Sequence, residues 1–340
     1  MLAVSDFIRL PYTRDLTEGG ILYATRSLCY TYDRMGGSVY SRLRRIVGGV
    51  AVELAFRRYL SEQGIPFDTK GATPFTEPDR YDVALGGHRC DLKTFILSKR
   101  RQITSLRRNP QQILSAPALI PQDQFDAGNH TDRDLYLFAF LLGLTTNSSD
   151  EVDKVIRSGQ PMYLVHPLRS AWSRPPTWHT LGRLALKSEC TAPLRIEIGG
   201  QNAQRNFVTE TLTLQPRERT FAQNEYYSLA YLHVDSLPTA RVGIHSPRLG
   251  EPHLIHPHEW GNIWVYGMHI WLIGYMTHEE FRRKATLIHA GTRVFQYSST
   301  QTSNYSVQVG HLRPLKQLFE RVRSWESLKK LEFQKGNKHQ

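Results

Sequence analysis

Apolar and polar positions alternate on both sides of Gly86-Gly87, and a Gly-Gly pair between two alternating segments predicts a two-residue β-hairpin. Folding there pairs Leu85 with His88, Ala84 with Arg89, Val83 with Cys90 and Asp82 with Asp91. Upstream, residues 41–63 carry Ile46, Val50, Glu53 and Leu60 at three- and four-residue steps, which predicts a helix with Glu53 on its apolar stripe. Gly64 and Pro66 follow, as expected at a helix C-terminus. Downstream, Asp134 to Leu144 is an almost unbroken apolar run, the pattern of a strand buried on both faces.

The rest of the pattern is β-rich. Prolines 161, 167, 175, 176 and 193 punctuate residues 150–220, where Leu194 to Gly200 and Phe207 to Leu214 alternate and Gly199 to Asn206 is predicted to connect them. Tyr226 to Asp235 and Trp264 to Met276 predict further strands, and Thr277 with Glu280 forms a capping-box signature opening a helix. The chain divides by this reading into a helical segment (1–40), a core (41–150), a β-rich insertion or accessory region (151–220), remaining strands and C-terminal helices (221–324) and a fraying basic tail (325–340).

The hairpin also carries the candidate chemistry. Asp82 and Asp91 would face each other with Cβ atoms roughly 4.5–5.5 Å apart, an arrangement that is destabilising between like charges. Lys93, two residues past Asp91, projects from the same face. A divalent cation removes the repulsion, and Mg²⁺ takes hard oxygen ligands. This acid–acid–lysine cluster is a candidate metal-dependent phosphodiesterase centre. An unpaired carboxylate on an apolar stripe is costly, so Glu53 either aims at that centre or pairs with Arg57 one turn on.

Glu53 on a first helix, Asp82 opening a strand and Asp91-Leu92-Lys93 on the next resemble the PD-(D/E)XK nuclease superfamily over about residues 40–145. The resemblance implies an α/β, restriction-endonuclease-like fold, a mixed central sheet flanked by helices, here with the β-rich insertion or accessory subdomain. It implies that Asp82, Asp91 and the Leu92 carbonyl bind Mg²⁺, for which Mn²⁺ may substitute, that Glu53 binds the metal or orients its water, and that Lys93 positions the attacking water. Pro78-Asp79 is the literal Pro-Asp pair, but hairpin parity sets Asp79 opposite Thr94 on the other face and favours Asp82. A bulge would reverse that choice.

Charge adds a partner. The 340 residues have a net charge of +12, which suits a polyanion. Lys99, Arg100, Arg101, Arg107 and Arg108 follow the hairpin, and Arg42, Arg44 and Arg45 precede Glu53. Both clusters are candidate phosphate contacts. The implied function is DNA phosphodiester hydrolysis, with prokaryotic defence or restriction as a role suggested by fold analogy alone. The alternatives are a non-catalytic nucleic-acid-binding or assembly subunit, and an RNA nuclease of the same fold. Cleavage of two strands would suit a homodimer.

Other chemistry finds little support. The three cysteines are isolated, without a Cys-x-x-Cys, which fits a cytoplasmic protein without zinc ribbon or disulfides. His253, His256 and His258 crowd together between prolines without a zinc-binding spacing. No phosphate-binding glycine loop or nucleophile elbow is present. The N-terminus lacks a signal-peptide pattern, and Ile263 to Met276 is too short to span a membrane.

Overall fold

The computed structural model describes residues 2–29, 38–71, 82–127 and 130–336, with side chains through 325. In chain order the elements are β1 (Ile8–Pro11), α1 (Arg14–Ser27), α2 (Val39–Glu62), β2 (Val83–Leu85), β3 (His88–Leu97), α3 (Arg100–Arg108), β4 (Pro117–Pro121), α4 (Gln122–Asp126), β5 (Leu135–Leu144), α5 (Ser149–Arg157), β6 (Leu164–Pro167), α6 (Ser170–Ser173), β7 (Ala185–Ser188), β8 (Leu194–Gln201), β9 (Phe207–Leu214), β10 (Arg219–Phe221), β11 (Ser228–Val234), β12 (Val242–His245), β13 (His253–Ile255), β14 (Gly261–Asn262), β15 (Tyr266–Thr277), α7 (His278–Lys284), β16 (Thr286–Ile288), β17 (Asn304–Gln308) and α8 (Leu315–Gly336). The protein is a mixed α/β chain with several sheets. It divides into two compact units. The first is Met1–Gly19, Gly48–Leu144 and Tyr266–Gln340, and the second is Gly20–Val47 and Thr145–Val265.

The first unit is built on a five-stranded sheet of order β1-β15-β5-β3-β2, in which β3 and β5 run parallel and the other neighbours antiparallel. The nearly continuous apolar run of β5 is central and buried, as expected of a strand covered on both faces. Along β3 and β5 one face carries Phe95, Leu97, Phe138, Phe140 and Leu142, packed in a core with Ile103 and Leu106 of α3 and Phe281 of α7. The other face carries Ile96 and Leu141, against which Gly48 of α2 lies so close that an added Cβ would come within 2.4 Å of Ile96 Cδ1. Helix α2 buries Leu43, Val47, Ala51, Val52, Ala55, Phe56 and Leu60. Ile46, Val50 and Glu53 are only half-buried, so the true stripe is rotated from the predicted one. The helix stops where expected: Gly64 takes φ +59° and the Ile65 N–H returns to the Leu60 carbonyl.

The second unit has two antiparallel sheets, β14-β6-β11-β8-β9 and β10-β7-β12-β13. Ile196, Ile198 and Leu232 of one sheet share a core with Leu186, Val242 and Ile255 of the other. The β-rich region therefore extends well beyond 151–220, through Val265. Gly199 and Gly200, predicted to begin a connection, lie inside β8, and Asn202 to Asn206 make the turn. The space a side chain would need is filled by the Tyr231 ring at Gly199 and by the Ser228 carbonyl and then the Tyr226 ring at Gly200, so the pair permits close packing and not a turn.

Two further expectations change. The first forty residues are not wholly helical, because β1 forms an edge of the main sheet. The expected frayed tail is helical through Gly336, as the end of α8. The Thr277 cap is confirmed, its hydroxyl accepting from the Glu280 N–H at 3.2 Å. Among the described residues no helix is long and apolar enough to cross a membrane.

Candidate active site

The hairpin forms in the predicted register over three pairs, Leu85 with His88, Ala84 with Arg89 and Val83 with Cys90. Gly86 and Gly87 take φ +56° and +81°, the conformation that a two-residue turn between twisted strands demands. The ladder then slips. The Asp82 N–H donates to the Cys90 carbonyl at 3.1 Å, one residue short of the Asp91 pairing expected, in the manner of a bulge. Asp82 is therefore not the cross-strand partner of Asp91. Its carboxylate reaches along the edge of β3 instead, where Oδ2 accepts from the Leu92 N–H at 2.6 Å. Asp79, the other candidate, lies outside the described residues.

Asp91 and Lys93 share a face, as their spacing requires. Lys93 Nζ lies 2.6 Å from Asp91 Oδ2 and donates to Gln124 Oε1 at 2.9 Å. The two side chains are 17 % and 28 % exposed, too enclosed for an ordinary solvated strand surface. Burial, and after it the Asp91 carboxylate, push the Asp82 carboxyl up to about 7. The Leu92 hydrogen bond and the Lys93 and Arg57 charges oppose that rise without cancelling it. Burial is thus the main reason the Asp82 carboxyl resists ionisation.

Glu53 reaches this region indirectly. Helix α2 covers the sheet face opposite Asp91 and Lys93, so Glu53 does not point across that face. Its Oε2 lies 3.7 Å from Arg57 Nη2, and the same Nη2 donates to the Asp82 carbonyl at 3.1 Å. The i+4 pairing with Arg57 is thus present, and it ties the helix to the slipped end of β2.

The donor set fits a hard cation that keeps much of its own water. Asp82 and Asp91 are each held through Oδ2, leaving Oδ1 for a ligand. In an extended strand a residue's N–H and C=O point to the same side, so the Leu92 carbonyl faces the edge where Asp82 sits. Mg²⁺ needs only one or two protein carboxylates because it retains waters. Among the described residues no group of three or more His, Cys, Asp or Glu side chains could hold a metal. His253 is buried in β13 with its Nε2 2.9 Å from His166 Nε2.

The basic candidates separate. Lys99, Arg100, Arg101, Arg107 and Arg108 are exposed on or beside α3. Arg100, Arg101 and Arg108, with Thr104, Ser105, Asn109 and Gln112, line a shallow depression of about 410 Å³. Arg107 Nη2 meets Met268 Sδ at 3.3 Å, near the row of Leu97 and Leu142. Asp91 lies six rows away, roughly 20 Å at the rise of a strand, so Arg107 does not adjoin the acidic pair. Arg42, Arg44 and Arg45 belong to the second unit. Arg44 is 7 % exposed, donating to the Asn262 carbonyl and to Asn147 Oδ1. It is a buried structural cation and not a phosphate contact.

Two residues at the site were not predicted. Gln124, on a helix of five residues, carries no sequence signal. Tyr136 does, as a polar-tipped residue inside the otherwise apolar run of β5. It pairs with Asp91 across the β3–β5 ladder.

Comparison with known protein families, with curated proteins and with solved structures returned no match.

Proposed function

We propose that the first unit carries a Mg²⁺-dependent centre that hydrolyses phosphodiester bonds in DNA, in a restriction-endonuclease-like nuclease of the PD-(D/E)XK type. The observation that carries this reading is the crowding of Asp82 and Asp91 beside a partly buried lysine. A carboxyl pushed up to about 7 by burial and then by a second carboxylate suits a site completed by a cation. Asp82, Asp91 and the Leu92 carbonyl would hold it. When bound, Mg²⁺ offsets charge on the phosphate and makes water a better nucleophile at neutral pH.

The chain's own residues do the positioning. Asp91 Oδ2 and Gln124 Oε1 fix the Lys93 ammonium. An ammonium has three N–H donors, so one is left for a phosphate oxygen, in an environment where solvent screens it weakly. The Leu92 N–H holds Asp82 against the edge of β3, and Arg57 anchors the Asp82 main chain. The exposed arginines of α3, of which Arg107 lies some 20 Å along the sheet from Asp91, would meet backbone phosphates and add affinity without sequence choice.

The test is incubation of the purified chain with plasmid DNA, with single-stranded DNA and with RNA, in Mg²⁺, Mn²⁺ or EDTA, beside Asp91→Ala. Metal-dependent DNA cutting that the variant lacks is the expected result. DNA binding without cutting under either metal would favour the non-catalytic binding subunit. Cutting of RNA alone would move the substrate to RNA.

A further inference from the structure

Helix α3 carries three arginines whose charge the protein leaves uncompensated. Several exposed arginines elsewhere meet acids: Arg14 with Glu18, Arg195 with Asp235, Arg241 with Glu189 and Arg282 with Asp132. Among the described residues, the guanidinium groups of Arg100, Arg101 and Arg108 have neither a carboxylate nor a hydrogen-bond partner. All three line the depression of about 410 Å³, and no acidic side chain lines it with them. Like charges gathered on one helix repel. Two of the three stand in the first turn of α3, which has no acid and no side-chain cap, although that end of a helix favours anions. Stability accounts for none of this.

The neutral residues of the depression are left as donors. Asn109 Oδ1 already accepts from the Gln111 N–H at 3.2 Å, and Gln112 Oε1 accepts from the Ser105 hydroxyl at 3.0 Å. What the two amides keep for a ligand is their NH₂ groups. The Thr104 hydroxyl, one helical turn from Arg100 and one from Arg108, can donate as well. Three cations and neutral donors at one concave place select a compact anion rich in acceptor oxygens. A carboxylate or a backbone phosphodiester brings a single charge. A phosphomonoester brings about −1.5 to −2 at neutral pH and three strong acceptor oxygens, and guanidinium forks match phosphate geometry.

We propose that this depression is a phosphomonoester-binding site, which takes a terminal phosphate in preference to the diester of an unbroken backbone. The chemistry is the same for the phosphorylated end of a nucleic acid and for a free nucleotide. The site is formed without Asp82 and Asp91, so it does not rest on the nuclease reading, and it needs no metal.

The experiment measures binding in EDTA, where no cleavage intervenes. Short duplexes with a dye on an internal base carry 5′-phosphate, 3′-phosphate or only hydroxyl ends, and their anisotropy is followed with wild type. The same titrations use a variant with Arg100, Arg101 and Arg108 changed to alanine, and a charge-matched control with Arg14, Arg195 and Arg241 changed to alanine. Deoxyadenosine 5′-monophosphate and deoxyadenosine are titrated calorimetrically into each protein. A phosphorylated end is expected to bind on the order of tenfold tighter than a hydroxyl end, with that preference lost in the α3 variant and kept in the control. Such a preference supports the proposal with a nucleic-acid terminus as the source. Binding of the monophosphate but not the nucleoside, lost in the α3 variant and without any preference among duplex ends, supports it with a free nucleotide as the source. Equal affinity for all ends and no heat from the monophosphate overturns it. So does a phosphate preference that survives in the α3 variant.

Discussion

Two carboxylates set into sheets of this protein are treated in opposite ways. In the second unit, Glu197 of β8 accepts hydrogen bonds from the Tyr231 and Tyr163 hydroxyls at 2.8 and 3.2 Å. The Tyr163 ring is stacked on His233 at 3.6 Å, so the donors themselves are held in place. In the first unit, Asp82 accepts from one main-chain N–H, and burial followed by the charge of Asp91 pushes its carboxyl up to about 7. A folding protein can satisfy a semi-buried acid with neutral donors, and at Glu197 it does. The incompletely compensated carboxyl of Asp82, buried near Asp91, therefore calls for a reason other than stability, and a cation supplies one.

The contrast breaks most readily at Lys93. Lys93→Ala should lower Mg²⁺-dependent plasmid cleavage on the order of 10³-fold, and retention of more than a tenth of the rate would place the chemistry elsewhere. Glu197→Gln should do the reverse. It gives up two charge-assisted hydrogen bonds and should cost about 1–3 kcal/mol in urea unfolding, while the cleavage rate per folded molecule stays at wild type.

Replacing Arg100, Arg101 and Arg108 together by alanine should weaken DNA binding uniformly across sequences. The slope of log affinity against log salt should become shallower by up to about 0.9 for each phosphate no longer neutralised. An unchanged slope would remove α3 from the DNA interface.

The smallest effect sharpens the argument at Asp82. Its folded pKa is raised, so between the unfolded value near 3.8 and about 7 the native state binds more protons than the unfolded chain. This group's contribution to stability thus falls as pH rises through that window, and the penalty is complete above it. Asp82→Asn should raise Tm by a few degrees at pH 8, and the gain should shrink towards pH 4. A gain independent of pH would show that charge is not its cause.

Local pattern was enough for the hairpin, for β5 and β15, and for the helix bearing Glu53, because each depends on neighbours a few residues away. Lys93 beside Asp91 followed from strand parity alone. The slip at Asp82 did not, since it depends on the Cys90 carbonyl holding its main chain while the Leu92 N–H holds its side chain. The face taken by α2 was equally hidden. Periodicity shows that a helix has a buried stripe, but not which side of a sheet receives it, and of the two readings for Glu53 the pairing with Arg57 is the one seen. Arg44 reads as a surface cation until the distant Asn262 and Asn147 close around it. The division into two units is discontinuous in sequence, with Gly20–Val47 joining Thr145–Val265, and no composition shift marks that join.

The central claim is that Asp82 and Asp91 form an acidic pair completed by a divalent cation. Calorimetric titration of Mg²⁺ and Mn²⁺ at pH 6.5 into wild type and into Asp91→Asn tests it without any substrate. The account predicts saturable binding by wild type, with protons released into the buffer as Asp82 ionises, and loss of that binding in the variant. Equal heats from the two proteins, or none from either, would contradict it.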